Sequence, residues 1–106
     1  MVNKAYVFLY SDEVGTRAQV KKFLDGRPEI VNWKHELPNS FFLISPNDVH
    51  ELSALIRTFA GEGRFLVMEC SANRQGYLDR DTWAFLLKRR PWATKVTSAR
   101  KPDGDP

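Results

Sequence analysis

The chain has 106 residues, 42% of them apolar and 27% charged, with a formal net charge of +3 and one cysteine. That length supports one hydrophobic core and not two, and the composition excludes wholesale disorder. A single cysteine excludes an intramolecular disulfide and a thiolate metal cluster, and no apolar run approaches the roughly 18 to 20 residues that cross a bilayer.

In chain order, Lys4 to Tyr10 splits into two sets of alternating residues, Ala5, Val7 and Leu9 against Tyr6, Phe8 and Tyr10. Both are apolar, as in a central strand. The run is too short for the apolar region of a signal peptide, so a cytoplasmic setting is expected. Thr16 with Gln19 makes a capping box, and the helix it opens runs to about Asp25, where Gly26 and Pro28 end it. Val20, Phe23 and Leu24 fall on one side of that helix.

Glu29 to Leu37 alternates again, with Val31, Trp33 and Leu37 opposed to Asn32, Lys34 and Glu36, which predicts a strand with one wet face. Pro38 and Asn39 turn the chain into a short strand over Ser40–Ser45, completing a hairpin. Ser45 as N-cap, Pro46 at the first helical position and Asp48 at the third then predict a helix start. Its stripe is Val49, Leu52, Ile56 and Phe59, and Gly61 and Gly63 break it. A fourth strand, mostly buried, is expected over Arg64–Cys70. Cys70 reads as a small buried hydrophobe there.

After a polar loop over Ser71–Gly76, Asp79 reads as an N-cap and Leu78 with Trp83 as a hydrophobic staple. The third helix is expected to reach about Arg89, stopped by Pro91, with Trp83, Leu86 and Leu87 turned inward. Beyond Trp92 no periodicity remains, so residues 1–91 form the domain and 92–106 a disordered tail. Residues 1–87 hold 10 Lys/Arg and 11 Asp/Glu, whereas residues 88–106 hold 6 and 2. The excess charge therefore lies in Lys88, Arg89, Arg90, Lys95, Arg100 and Lys101, where Lys88, Arg89 and Arg90 also suit the helix dipole. Arg89, Arg90, Lys95, Arg100 and Lys101 are the candidates for binding RNA or DNA phosphates.

The order βαββαβ with right-handed crossovers predicts an α+β sandwich of the ferredoxin-like kind, with both helices on one face of an antiparallel sheet in spatial order 4-1-3-2. If Ala5, Val7 and Leu9 pack beneath the helices, Tyr6, Phe8 and Tyr10 lie on the open face. Such a patch is covered by the third helix or by a twin subunit in a homodimer, or it stacks bases as a binding site. Against base stacking, the third strand lacks the basic and glycine positions of the RNA-recognition signature.

Among the acids, Asp48 and Asp79 have structural work at helix starts. Glu69, inside an apolar strand, must pair, reach water or change its pKa, and an edge position satisfies it most simply. Asp12, Glu13 and Asp81 complete the set. His35 and His50 read as surface residues, and no phosphate loop, zinc spacing or nucleophile elbow is present. The residues alone name no enzyme class and call for no cofactor.

The aromatic first strand ending in Tyr and acid, the pair Ser40-Phe41, the late strand Arg64 to Glu69, and Gly76-Tyr77-Leu78 with Trp83 resemble the small bacterial SinR-like proteins. These are similar in topology to small CRISPR-associated ribonucleases and virulence-associated protein D toxins. The resemblance implies, as one possibility, a nuclease in which a carboxylate after the first strand binds a metal across a dimer. Here that carboxylate is Asp12 with Mg²⁺, one residue later than in the relatives, because Ser11 intervenes. Three functions follow: a non-catalytic, self-associating module, a Mg²⁺-dependent nuclease using Asp12, and a nucleic-acid binder using the aromatic strand and basic tail.

Overall fold

Two of the helices start where local side chains satisfy their orphan N–H groups. The computed structural model describes residues 2–71 and 75–89. Helix α1 (Arg17–Asp25) is opened by Thr16, whose hydroxyl accepts from the Gln19 N–H at 3.2 Å while Gln19 Oε1 accepts from the Thr16 N–H at 2.8 Å. Helix α2 (Val49–Ala60) is opened by Asp48 and not by Ser45. Asp48 accepts from the Glu51 N–H at 2.8 Å, and Glu51 closes the box on the Asp48 N–H at 3.0 Å. Ser45 instead takes the Asn47 N–H at 3.0 Å, which tightens the turn ahead of the helix. Two good caps stood three residues apart, and the one with a Glu three positions on won.

Four strands form one antiparallel sheet: β1 (Lys4–Tyr10), β2 (Asn32–Lys34), β3 (Ser40–Ser45) and β4 (Phe65–Glu69). Their order is β2-β3-β1-β4, which is 4-1-3-2 read from the other edge, and every neighbouring pair is antiparallel. With α3 (Arg80–Lys88) the fold is α+β, a four-stranded sheet and three helices. Strand β2 is shorter than the expected Glu29 to Leu37. A turn over 27–30, where the Ile30 N–H bonds the Arg27 carbonyl, occupies its start, and Leu37 is exposed in the loop that follows.

The two faces of the sheet are the reverse of the expected assignment. Across the strands Tyr6 meets Leu43, Phe8 meets Phe41 and Val67, and Tyr10 meets Phe65. This aromatic set is buried with Val20 and Leu24 of α1 and with Leu52, Ile56 and Ala60 of α2. Ala5, Phe42 and Ile44 lie on the opposite face, covered by Leu86 of α3 with Leu78, Trp83 and Phe85 packed around them. Alternation identifies two apolar sets without saying which is which. The bulkier set fills the wide space under two helices, and the face with the small Ala5 takes one short helix.

Helix α3 is held from a distance. The Asp79 side chain makes no cap; Glu36, beside β2, accepts from the Asp79 N–H at 2.9 Å and from the Thr82 hydroxyl. Leu87, expected inward, is 74% exposed, and Phe85 packs in its place. The helix ends at Arg89, which adopts a left-handed conformation (φ 55°). The tail expected over 92–106 lies outside the described residues. No described helix is long and apolar enough to cross a membrane.

Candidate functional site

The predicted aromatic platform is core. Tyr6 and Phe8 are 0% exposed and Tyr10 is 7% exposed, all on the side covered by α1 and α2. The Tyr6 hydroxyl donates to the Asn47 carbonyl. Burial pushes its pKa up, and the carboxylates of Glu69, Asp48 and Glu51 push it further. Stacking a base on these rings would require removing two helices, so the placement of Tyr6, Phe8 and Tyr10 on an open face is corrected.

Asp12 lies off the strand. The chain leaves β1 at Tyr10 and enters a single 3-10 turn over Asp12–Val14, so the alternation of strand faces no longer governs where Asp12 points. Its Oδ1 accepts from Asn39 Nδ2 at 2.9 Å, and the same amide nitrogen donates to the Tyr10 carbonyl at 2.9 Å. Asn39 sits at φ 53° and also accepts the Tyr10 N–H at 3.0 Å, so the turn before β3 and the end of β1 are tied together. Around Asp12 is a cleft of about 430 Å³, lined also by Tyr10, Thr16, Arg17, His35 and Asn39. Burial raises the Tyr10 pKa, opposed by Arg17 and aided by Asp12. Among the described residues no group of three or more His, Cys, Asp or Glu side chains stands together as a metal-ligand set.

Of the five cations named as candidates for binding phosphates, only Arg89 falls among the described residues. Its Nε donates to the Leu86 carbonyl at 3.3 Å, and its own carbonyl accepts from Asn3 at 3.3 Å, which ties the end of α3 to the N-terminal segment. Arg90, Lys95, Arg100 and Lys101 lie outside the described residues. His35 packs its ring against Phe41, with centroids 5.2 Å apart, and His50 is exposed on α2. Cys70 is half-buried, packed against the cluster under α3.

What the residue pattern missed is the β4 edge. Among the described residues β4 pairs with β1 alone, and no described strand pairs with its other side. The Arg64 carbonyl accepts from the Ser11 N–H at 3.0 Å, and the Cys70 N–H donates to the Ala5 carbonyl at 2.8 Å. The even-numbered residues therefore direct their backbone groups at β1, and Phe65, Val67 and Glu69 direct theirs outward. Side chains alternate too: Phe65 and Val67 pack toward the core under α2, while Leu66 and Met68, on the α3 face, are 51% and 46% exposed. Leu9, the cross-strand neighbour of Leu66, is 40% exposed, because α3 covers only the other end of that face. Glu69 is exposed at the edge, as expected. The available signal was the run Phe65 to Met68 beside a strand position at one end of the order 4-1-3-2.

Along this edge runs a groove of about 570 Å³ between β4 and α2, lined by His50, Ser53 and Arg57 of the helix, by Glu62 and Arg64, and by Phe65. Arg64 is also paired with Glu13 at 3.0 Å, which holds the Glu13 carboxyl below its ordinary value. No family model, curated protein or solved structure gives a significant match to this chain.

Proposed function

We propose that the chain is a small self-associating module of ferredoxin-like topology, SinR-like in kind, that forms a homodimer and serves a macromolecular partner by binding and not by catalysis, in the cytoplasm. The observation that carries this reading is the open edge of β4. Exposed strand edges are normally blunted by Lys, Pro, bulges or short length, because their unpaired backbone groups template further pairing. Phe65, Leu66, Val67 and Met68 offer none of these devices, and Leu66 and Met68 add exposed apolar surface beside Leu9. Burying such surface in a second copy is favourable by about 25 cal/mol per Å².

Light scattering with sedimentation at 10 to roughly 200 µM, a range suited to interfaces smaller than the usual ~1,600 Å², tests the reading. A dimer that Leu66→Asp with Met68→Asp converts to a folded monomer is the expected result. A wild-type monomer throughout that range overturns it. For the non-catalytic part, RNA and DNA cleavage is measured with and without Mg²⁺ on the wild type and Asp12→Ala. Mg²⁺-dependent cleavage that the substitution abolishes would make the chain a nuclease of the CRISPR-associated or virulence-associated kind. Nucleic-acid binding that falls with salt and with removal of residues 93–106 would assign that partner to the tail.

A further inference from the structure

Resting on the reading of β4 as a self-pairing edge, we infer that two copies join in a single register, antiparallel about a twofold axis through Val67, to make one continuous eight-stranded sheet. Three residues, Phe65, Val67 and Glu69, present outward backbone groups, as the inward bonds of Arg64 and Cys70 require. A twofold axis perpendicular to the sheet keeps each face of one copy on the same side as that face of the other. Only registers that pair residues of equal parity are then allowed. Centring on Val67 sets Val67 against Val67 of the partner subunit and Phe65 against Glu69 of the partner subunit. All three residues on each copy are then hydrogen-bonded. Centring on Leu66 would leave Glu69 opposite Gly63, where the strand has ended.

Side chains favour the same register. On the α3 face Leu66 lies opposite the partner's Met68 at a non-hydrogen-bonded position, about 4.5 Å between Cα atoms, so four exposed apolar side chains cover one another. On the α2 face the edge is electrically graded. Glu69 lies with Asp48 and Glu51 near the Tyr6 hydroxyl, at the start of α2. Arg57, Glu62 and Arg64 line the groove toward the other end, where Arg64 is already paired with Glu13, so Arg57 is the cation that faces the partner's acids. Arg57 is fixed there by its Nε bond to the Gly61 carbonyl at 2.9 Å, just before the chain enters β4 at Phe65. Because the partner's Glu69 falls opposite Phe65, the acidic end of each copy meets the Arg57 end of the other, twice by symmetry. The same register separates the two Tyr10 residues by roughly 20 Å, from three strand spacings and a four-residue offset, and sends the two Asp12 turns further apart. This dimer therefore does not unite two Asp12 carboxylates.

Disulfide trapping reads the register directly. In a Cys70→Ser background, Leu66→Cys and Met68→Cys chains are prepared separately, mixed, and treated with a mild oxidant. About 4.5 Å between Cα atoms lies within the bonding range of a disulfide. The expected result is a crosslinked Leu66→Cys/Met68→Cys heterodimer, with neither chain crosslinking alone. Crosslinking of Leu66→Cys with itself, or of no mixture, overturns the register. Separately, Arg57→Glu and Glu69→Arg should each weaken the dimer about tenfold, and the double exchange should restore it to within about threefold. A dimer lost on Leu66→Asp but indifferent to both trapping and exchange leaves the edge reading intact and removes this register. A wild-type monomer removes both.

Discussion

At one edge of the sheet β2 offers three residues, one of them Lys34; its own Trp33 donates its indole N–H to Asp25 at 2.8 Å, and Glu36, just after it, holds the start of α3. At the other edge β4 offers five residues, Phe65 to Glu69, with apolar side chains on both faces and no strand among the described residues pairing with its outer side. Both strands pair with a central strand of the same sheet, so backbone hydrogen bonding does not distinguish them. Length and charge do. Among the described residues the longer edge, at β4, pairs with no second strand, and it is the edge through which the proposed pairing would extend the sheet.

The largest effect is expected from Val67→Pro. The lost N–H points outward, so the ladder to β1 survives, while the centre of the proposed pairing is removed. Dimer affinity should fall about a hundredfold, read by sedimentation. An unchanged dimer would move self-association to another surface. Gly63→Ala attacks the approach to β4: a Cβ there would lie 2.8 Å from Val14 Cγ2 and 2.9 Å from the Val14 N, and backbone cannot swing aside. The cost should be about 1–3 kcal/mol in urea unfolding. At the shielded edge, Glu36→Ala leaves the Asp79 N–H and Thr82 hydroxyl without their acceptor. It should lower stability by about 1–2 kcal/mol with the oligomeric state unchanged.

Alkaline pH provides a smaller test. The Tyr6 and Tyr10 phenols are raised above their ordinary value of 10.0, so the folded state holds those protons more tightly than the unfolded chain. Their contribution is complete below pH 10 and is lost as pH climbs from there through the higher folded values. Urea midpoints at pH 8 and pH 11 should differ less in Tyr6→Phe than in the wild type. An equal loss in both would remove Tyr6 from the alkaline transition. The smallest effect belongs to Lys34→Val: stability should stay within about 0.5 kcal/mol and no second association should appear. Filament formation by that variant would show that charge, and not shortness, keeps β2 closed.

Elements whose cause is local were legible in advance. The Thr16 box, the stripe of Leu52 and Ile56, and the alternation of β1 all concern residues within a few positions of one another. Apart from the choice between Ser45 and Asp48 at the start of α2, the errors concern partners far apart in the chain. Glu36 lies 43 residues before the N–H it caps at Asp79, and no spacing rule reaches that far. Asp12 could not be placed by counting along a strand, because Asn39, 27 residues away, ties the turn that carries it. The candidate surface at β4 was hidden for the same reason: its outward residues are defined by the strand it does pair with.

By itself the amino-acid sequence determined an α+β arrangement, the order of its strands and helices, and two apolar sets on the first strand. Hydrophobic period and capping chemistry act over single turns, so they need no tertiary context. Only the tertiary structure decided that Tyr6, Phe8 and Tyr10 are core, that α3 covers one end of the opposite face, and that among the described residues β4 ends the sheet. Those outcomes depend on which volumes fit between layers and on which strand receives no neighbour. Both are properties of the assembled sheet and not of any segment of the chain.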